Sequence, residues 1–124
     1  MLADSSDWQA RANAGDQLAA FAGDPAVDEL LGRLLLDPDN TAVTVATAEA
    51  LLARRDLVGL RVFTLAYGRA DDDNGNDLND SMYSVRQSTE DQDGLIGRLR
   101  LVALDEDQDV RTGATAALTW LGRA

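Results

Sequence analysis

Apolar residues return along this chain with a helical period. Val27, Leu30, Leu31, Leu34 and Leu35 fall at i, i+3, i+4, i+7 and i+8, which is one face of an amphipathic helix. Asp37-Pro38-Asp39-Asn40 breaks the pattern, because proline cannot donate to the ladder and Asp and Asn side chains accept hydrogen bonds from nearby backbone. Val43, Ala46, Ala50 and Leu51 restart the same period. Two such helices joined by so short a turn are expected to pack antiparallel.

Stripe and break alternate through the rest of the chain. Ser5 to Ala22 reads as a first helix with a narrow stripe of Ala10, Ala14, Leu18 and Phe21, and Ser6 with Gln9 has capping-box spacing. Gly23 ends it, and Asp24 and Pro25 suit the start of the next. Asp56 is expected to cap a fourth helix from Leu57 to Gly68. Leu78, Met82 and Val85 mark a weaker fifth, Thr89 and Gln92 open a sixth through Leu95, Ile96, Leu99 and Val102, and Val110, Ala114, Ala117, Leu118 and Leu121 form a seventh. The acidic stretch 69–77, centred on Asp71-Asp72-Asp73-Asn74-Gly75-Asn76, has no apolar anchor and repels itself, so a loop is expected there. No run alternates at period two. The predicted fold is all-α with about seven helices, in a single domain spanning 1–124.

Segments recur. LLGRLLLDPDN at 30–40 returns as LIGRLRLVALDEDQ at 95–108, and QARANAGDQLAAFAG at 9–23 returns as DVRTGATAALTWLGR at 109–123, aligning Arg11 with Arg111 and Leu18 with Leu118. Val43 to Leu51 lies 33 positions after Ala10 to Leu18. A spacing of that size, with two helices per unit, points to an α-solenoid. On these residues, Asp105 through Leu121 above all, the chain resembles HEAT-repeat proteins, including the short PBS-lyase-type HEAT-like repeats. The resemblance implies a short right-handed solenoid of roughly three and a half helix pairs, with partner binding on a curved surface. It also implies a ladder in which an acidic turn residue pairs with an Arg early in the next helix. Asp105 and Arg111 match that ladder, Arg11 matches with only Ser5 before it, and Thr44 stands where the central unit would carry Arg.

Composition narrows the chemistry. Cysteine and histidine are absent, so disulfides, thiolate metal sites, an imidazole proton shuttle and a Ser-His-Asp set are all excluded. No cofactor is expected. The net charge is −11 and every cation is an Arg. Such a field repels a phosphate backbone, so nucleic acid is not an expected partner. No apolar run reaches the ~18 residues of a membrane span, and MLADSSDWQA lacks the basic and apolar regions of a leader, so a cytoplasmic protein is expected. Arg without Lys, amid much Ala and Gly, suits the coding bias of a high-GC bacterium.

Acidity serves solubility in its plainest role, and steering of a basic partner in its sharper one. Asp72, Asp73, Asp77 and Asp80 are the candidate contacts for such a partner. An EF-hand register fails there: with Gly75 at the glycine position, Ala70 and Ser81 occupy ligand positions. On second helices, which the resemblance places on a concave face, Arg33, Arg61 and Arg98 are candidates for a small cationic patch. Trp8 and Trp120 are expected to cover the two terminal repeats. The expected function is a non-enzymatic protein-protein interaction module binding a basic protein, with an immunity-type or regulatory binder as its specific form. The resemblance also admits an enzyme or enzyme accessory like bilin lyases or DNA glycosylases; the latter needs a basic groove.

Overall fold

Side-chain caps divide the described chain, residues 5–85 and 88–123 of a computed structural model, into seven α-helices with no strand among them. These are α1 (Trp8–Leu18), α2 (Pro25–Leu35), α3 (Thr41–Ala53), α4 (Leu57–Arg69), α5 (Asp72–Val85), α6 (Thr89–Val102) and α7 (Gln108–Trp120), with a 3-10 turn over Ala19–Phe21. Asp24 accepts the N–H groups of Ala26 and Val27, Asn40 that of Ala42, Asp56 that of Gly59 and Asp107 that of Asp109. Each bond satisfies a donor that the first helical turn leaves without a partner. Two expected helix starts shift by one residue. Asp7, not Ser6, caps α1 by accepting from Gln9, and Ser88, not Thr89, caps α6 by accepting from Asp91. The N-terminal stretch read for a leader falls partly on residues 1–4, outside the described residues. None of the described helices is long and apolar enough to cross a membrane.

The acidic segment expected to be a loop over 69–77 is helical from Asp72. The Asp71 carboxylate accepts the N–H of Asn74 at 2.8 Å, so it acts as the cap. Asp72 and Asp73 then lie in the first turn, where the positive end of the helix dipole offsets their mutual repulsion. Leu78 and Met82, both fully buried, anchor the other end of the helix. Gly68 does not end α4; it lies within that helix, at its contact with α7.

The core contains Leu31, Leu35, Leu51, Phe63, Leu78, Met82, Leu99 and Val110. Helices α1, α3 and α5 pack side by side, and so do α2, α4 and α6. That is the order stacked helix pairs produce. Helix α7 departs from it, because its extensive contacts are with α4 and α6. Helices α1, α2 and α3 therefore form one mutually packed trio, and α4, α6 and α7 form another with the same pairing, while α5 is an added helix lying against α3.

An ion pair recurs in the two trios. Arg11 on α1 donates its Nε to Asp37 in the α2–α3 turn at 2.8 Å, and Arg61 on α4 donates its Nε to Asp105 in the α6–α7 turn at 2.9 Å. The expected Asp105–Arg111 carboxylate ladder takes a different form. Arg111 donates to the main-chain carbonyls of Asp105 and Glu106, as Arg11 does to the carbonyl of Ser5, and the Asp105 carboxylate is occupied by Arg61 and the N–H of Asp107. The reason is geometric: an Arg near the start of a helix reaches the carbonyls of the turn before it, leaving the turn's carboxylate to the neighbouring helix. Arg54 makes a third tie, donating to the carbonyl of Ala19 at 2.7 Å and to Asp56.

Thr44 is completely buried, and its hydroxyl has no hydrogen-bond partner among the described residues. A buried unpaired hydroxyl costs about 1–3 kcal/mol, so Thr44→Val is expected to stabilise the protein by ~1 kcal/mol and raise its melting temperature by a few degrees. The hydroxyls of Thr47 and Thr64 donate to the carbonyls of Val43 and Leu60 at 2.8 and 2.9 Å, so valine at those positions should bring no such gain. Thermal melts of the three variants check this, and equal gains at all three would refute it.

Candidate functional site

The α2–α3 turn faces the first half of α5 across a groove of about 350 Å³. Pro38 and Asn40 set the shape of the turn side. The Asp37 carboxylate, turned inward, accepts the N–H groups of Asp39 and Asn40 at 2.9 Å. Asn74, buried on α5, donates to the carbonyl of Asp37 at 3.1 Å and so fixes the helix against the turn. The charged residues around the opening are Asp39, Asp71, Asp73 and Asp77, with no Arg among the described lining residues.

Two of these carboxylates respond oppositely to their surroundings. Burial alone would raise the Asp37 carboxyl, but the Arg11 guanidinium and the two backbone N–H groups outweigh it and hold the group below the ordinary aspartate range. Asp77 goes the other way. Burial pushes it up, Asp80, Asp73 and Asp71 push it further, and a hydrogen bond with the Thr41 side chain only partly opposes them. Burial is the main cause of the Asp77 shift, and the neighbouring carboxylates add to it. Among the described residues no group of three or more His, Cys, Asp or Glu side chains is placed to hold a metal ion.

Of the four aspartates expected to meet a partner, Asp73 and Asp77 line the groove, Asp80 acts on Asp77 from beside it, and Asp72 is exposed on the first turn without lining it. Asp39 and Asp71 also line the groove, although neither was among the candidate partner contacts expected from sequence. The acidic Asp-Pro-Asp-Asn turn was a visible signal, but nothing in the linear pattern placed it opposite α5.

The three arginines expected to share a patch are dispersed. Arg61, paired to Asp105, lines a furrow of about 420 Å³ between α2 and α4. Arg98 lines a different cavity, about 490 Å³, beside Arg55, Glu90 and Asp91, and Arg55 there bridges to Asp91 at 3.3 Å. Arg33 is exposed near the end of α2 and lines neither. They are separated because α2, α4 and α6 present these positions to different neighbours. Trp120 packs edge-on against Tyr83 with ring centroids 4.9 Å apart, joining α7 to α5, and both it and Trp8 remain partly exposed. Compared with family models, with curated protein sequences and with solved structures, the chain gives no match.

Proposed function

We propose that this chain is a non-enzymatic protein-binding module, a short helical repeat of HEAT-like type, which takes a basic segment of another protein on the groove between the α2–α3 turn and α5. The observation that carries this reading is the cluster of Asp39, Asp71, Asp73 and Asp77 around an opening with no Arg among its described lining residues. The net charge of −11 adds a long-range field that steers a cationic partner toward the molecule. The repeat reading draws on the recurring Arg–Asp link and on the side-by-side orders of α1, α3, α5 and α2, α4, α6.

The test is capture of a basic protein by the parent chain and by a variant with Asp72, Asp73, Asp77 and Asp80 all changed to Asn. Exposed ion pairs contribute about 0.2–1 kcal/mol each, so the variant should bind roughly tenfold or more weakly with unchanged helicity. Raising salt should slow association more than it speeds release. The sign of the pH effect follows from Asp77: burial raises its carboxyl, so it takes up a proton as pH falls through the raised value, and binding weakens toward the acid side. Capture of an acidic partner, or equal binding by the Asn variant, would contradict the proposal.

A further inference from the structure

We infer that the furrow between α2 and α4 receives an amphipathic helix of the partner protein, one that carries Lys or Arg along one flank. The inference rests on the reading of the chain as a binder of a basic protein and adds a second surface to it. The furrow is built from two parallel rows at helical spacing. Asp28 and Gly32 stand four residues apart on α2, with Leu36 continuing the row at its C-cap, and Arg61, Leu65 and Arg69 stand four apart on α4. Rows of this kind are the ridges between which a third helix seats its own side chains. Eight residues of helix span ~12 Å, enough for two turns of a bound helix.

The floor is apolar, with Val62 and Ala66 beneath and Leu36 and Leu65 beside them. Gly32 opens the middle. A Cβ built there meets no heavy atom within 4 Å, so the fold does not require glycine at a mid-helix position where alanine favours the helix more. Gly97, its counterpart in the second GRL segment, is equally unhindered but exposed, so what sets Gly32 apart is the furrow it opens. An occupant whose apolar side chain descends over Gly32 would account for it.

Charge on the rim selects the flank. Arg61 is neutralised by Asp105 at 2.9 Å and Arg69 by Asp109 at 2.8 Å. The other rim charges are Glu29 and Asp28, the latter accepting the Gly23 N–H and also acting on Arg61. Together with Asp105 and Asp109 they outnumber the two arginines and leave the rim net negative. A second copy of this chain, also at −11, is repelled by such a rim, whereas a helix with a cationic flank is attracted.

The test uses a fluorescent synthetic helix with a Leu ridge and a Lys flank, and a counterpart with Glu in place of Lys, titrated by anisotropy into the full chain. The Lys peptide should bind at least about tenfold more tightly than the Glu peptide. Gly32→Leu fills the furrow and should weaken the Lys peptide by about tenfold or more, and Glu29→Gln should weaken it several-fold. Should Gly32→Leu lose helicity, Leu65→Ala takes its place, stripping one wall and weakening binding in the same direction. Unchanged binding with a folded furrow variant overturns the inference, as does no measurable binding of the Lys peptide. Sedimentation showing a dimer that Gly32→Leu dissolves would assign the furrow to a second copy and also overturn it. The Asp73→Asn/Asp77→Asn pair separates the two readings. If that pair alone abolishes binding, the cationic peptide sits on the α5 groove, so the furrow inference fails while the function stands.

Discussion

Gly113→Ala is expected to destabilise the protein by ~3 kcal/mol or more, at the upper end of overpacking changes. Helices α4 and α7 make the most extensive packing in the fold, and they cross where neither has a side chain to separate the backbones. A Cβ on Gly113 would overlap the carbonyl oxygen of Thr64 and lie 2.6 Å from its carbonyl carbon. A Cβ on Gly68 would come within 3.2 Å of the Gly113 backbone. Neither obstacle is a flexible side-chain tip, so the helices must move apart, opening the core around Phe63 and Val110. Alanine's better helix propensity returns only about 1 kcal/mol. Gly97→Ala is the control: its new methyl meets nothing within 4 Å, so it should stabilise by ~0.5–1 kcal/mol. Urea unfolding of both variants checks the pair. A Gly113→Ala midpoint close to that of the parent would mean that the crossing is looser than described.

The second large effect is at Asp37. Only 7% of this residue is exposed, yet its carboxylate holds Arg11 and two backbone N–H groups. Asp37→Ala leaves the largely buried Arg11 guanidinium without its carboxylate, and removing one member of such a pair costs about 3–5 kcal/mol. Because the folded pKa is depressed, this stability is fully present above the ordinary carboxylate range and is lost as pH falls through the lowered value. Parent and variant should therefore differ most near neutral pH and converge in strong acid. An Arg11→Ala/Asp37→Asn double-mutant cycle measures the coupling, and additive effects would show that the two side chains act independently.

The helices were legible because a stripe such as Leu31, Leu34 and Leu35 has only one regular structure that buries it on one side. The start of α5 was not. Adjacent aspartates argue for a loop when considered as charges alone, and for a helix once Asp71 caps the turn and the dipole receives Asp72 and Asp73. The Arg–Asp links were half legible. Arg11 and Arg111 align and make the same bond to a carbonyl six residues back, but which carboxylate each turn offers to which helix depends on packing. Nor does any local pattern show that α7 returns to α4. The groove combines both problems, since its aspartates come from the α2–α3 turn and α5, which only the contact of α5 with α3 brings together.

The insertion of α5 also sets an order of events for the growing chain. Helices α1, α2 and α3 emerge consecutively and can close on one another as soon as they are made. Helix α4 can settle on α2 and α3, but its most extensive contact must wait, because α7 is separated from it by both α5 and α6. Until that loop closes, the buried positions of α4 that α7 would cover stay open to water and to other chains, and long loops close more slowly than short ones. Refolding should therefore be biphasic in character, with early protection in the α1–α3 amides and later protection in α4 and α7. A shortened chain lacking α5 should narrow that delay even as it uncovers the flank of α3.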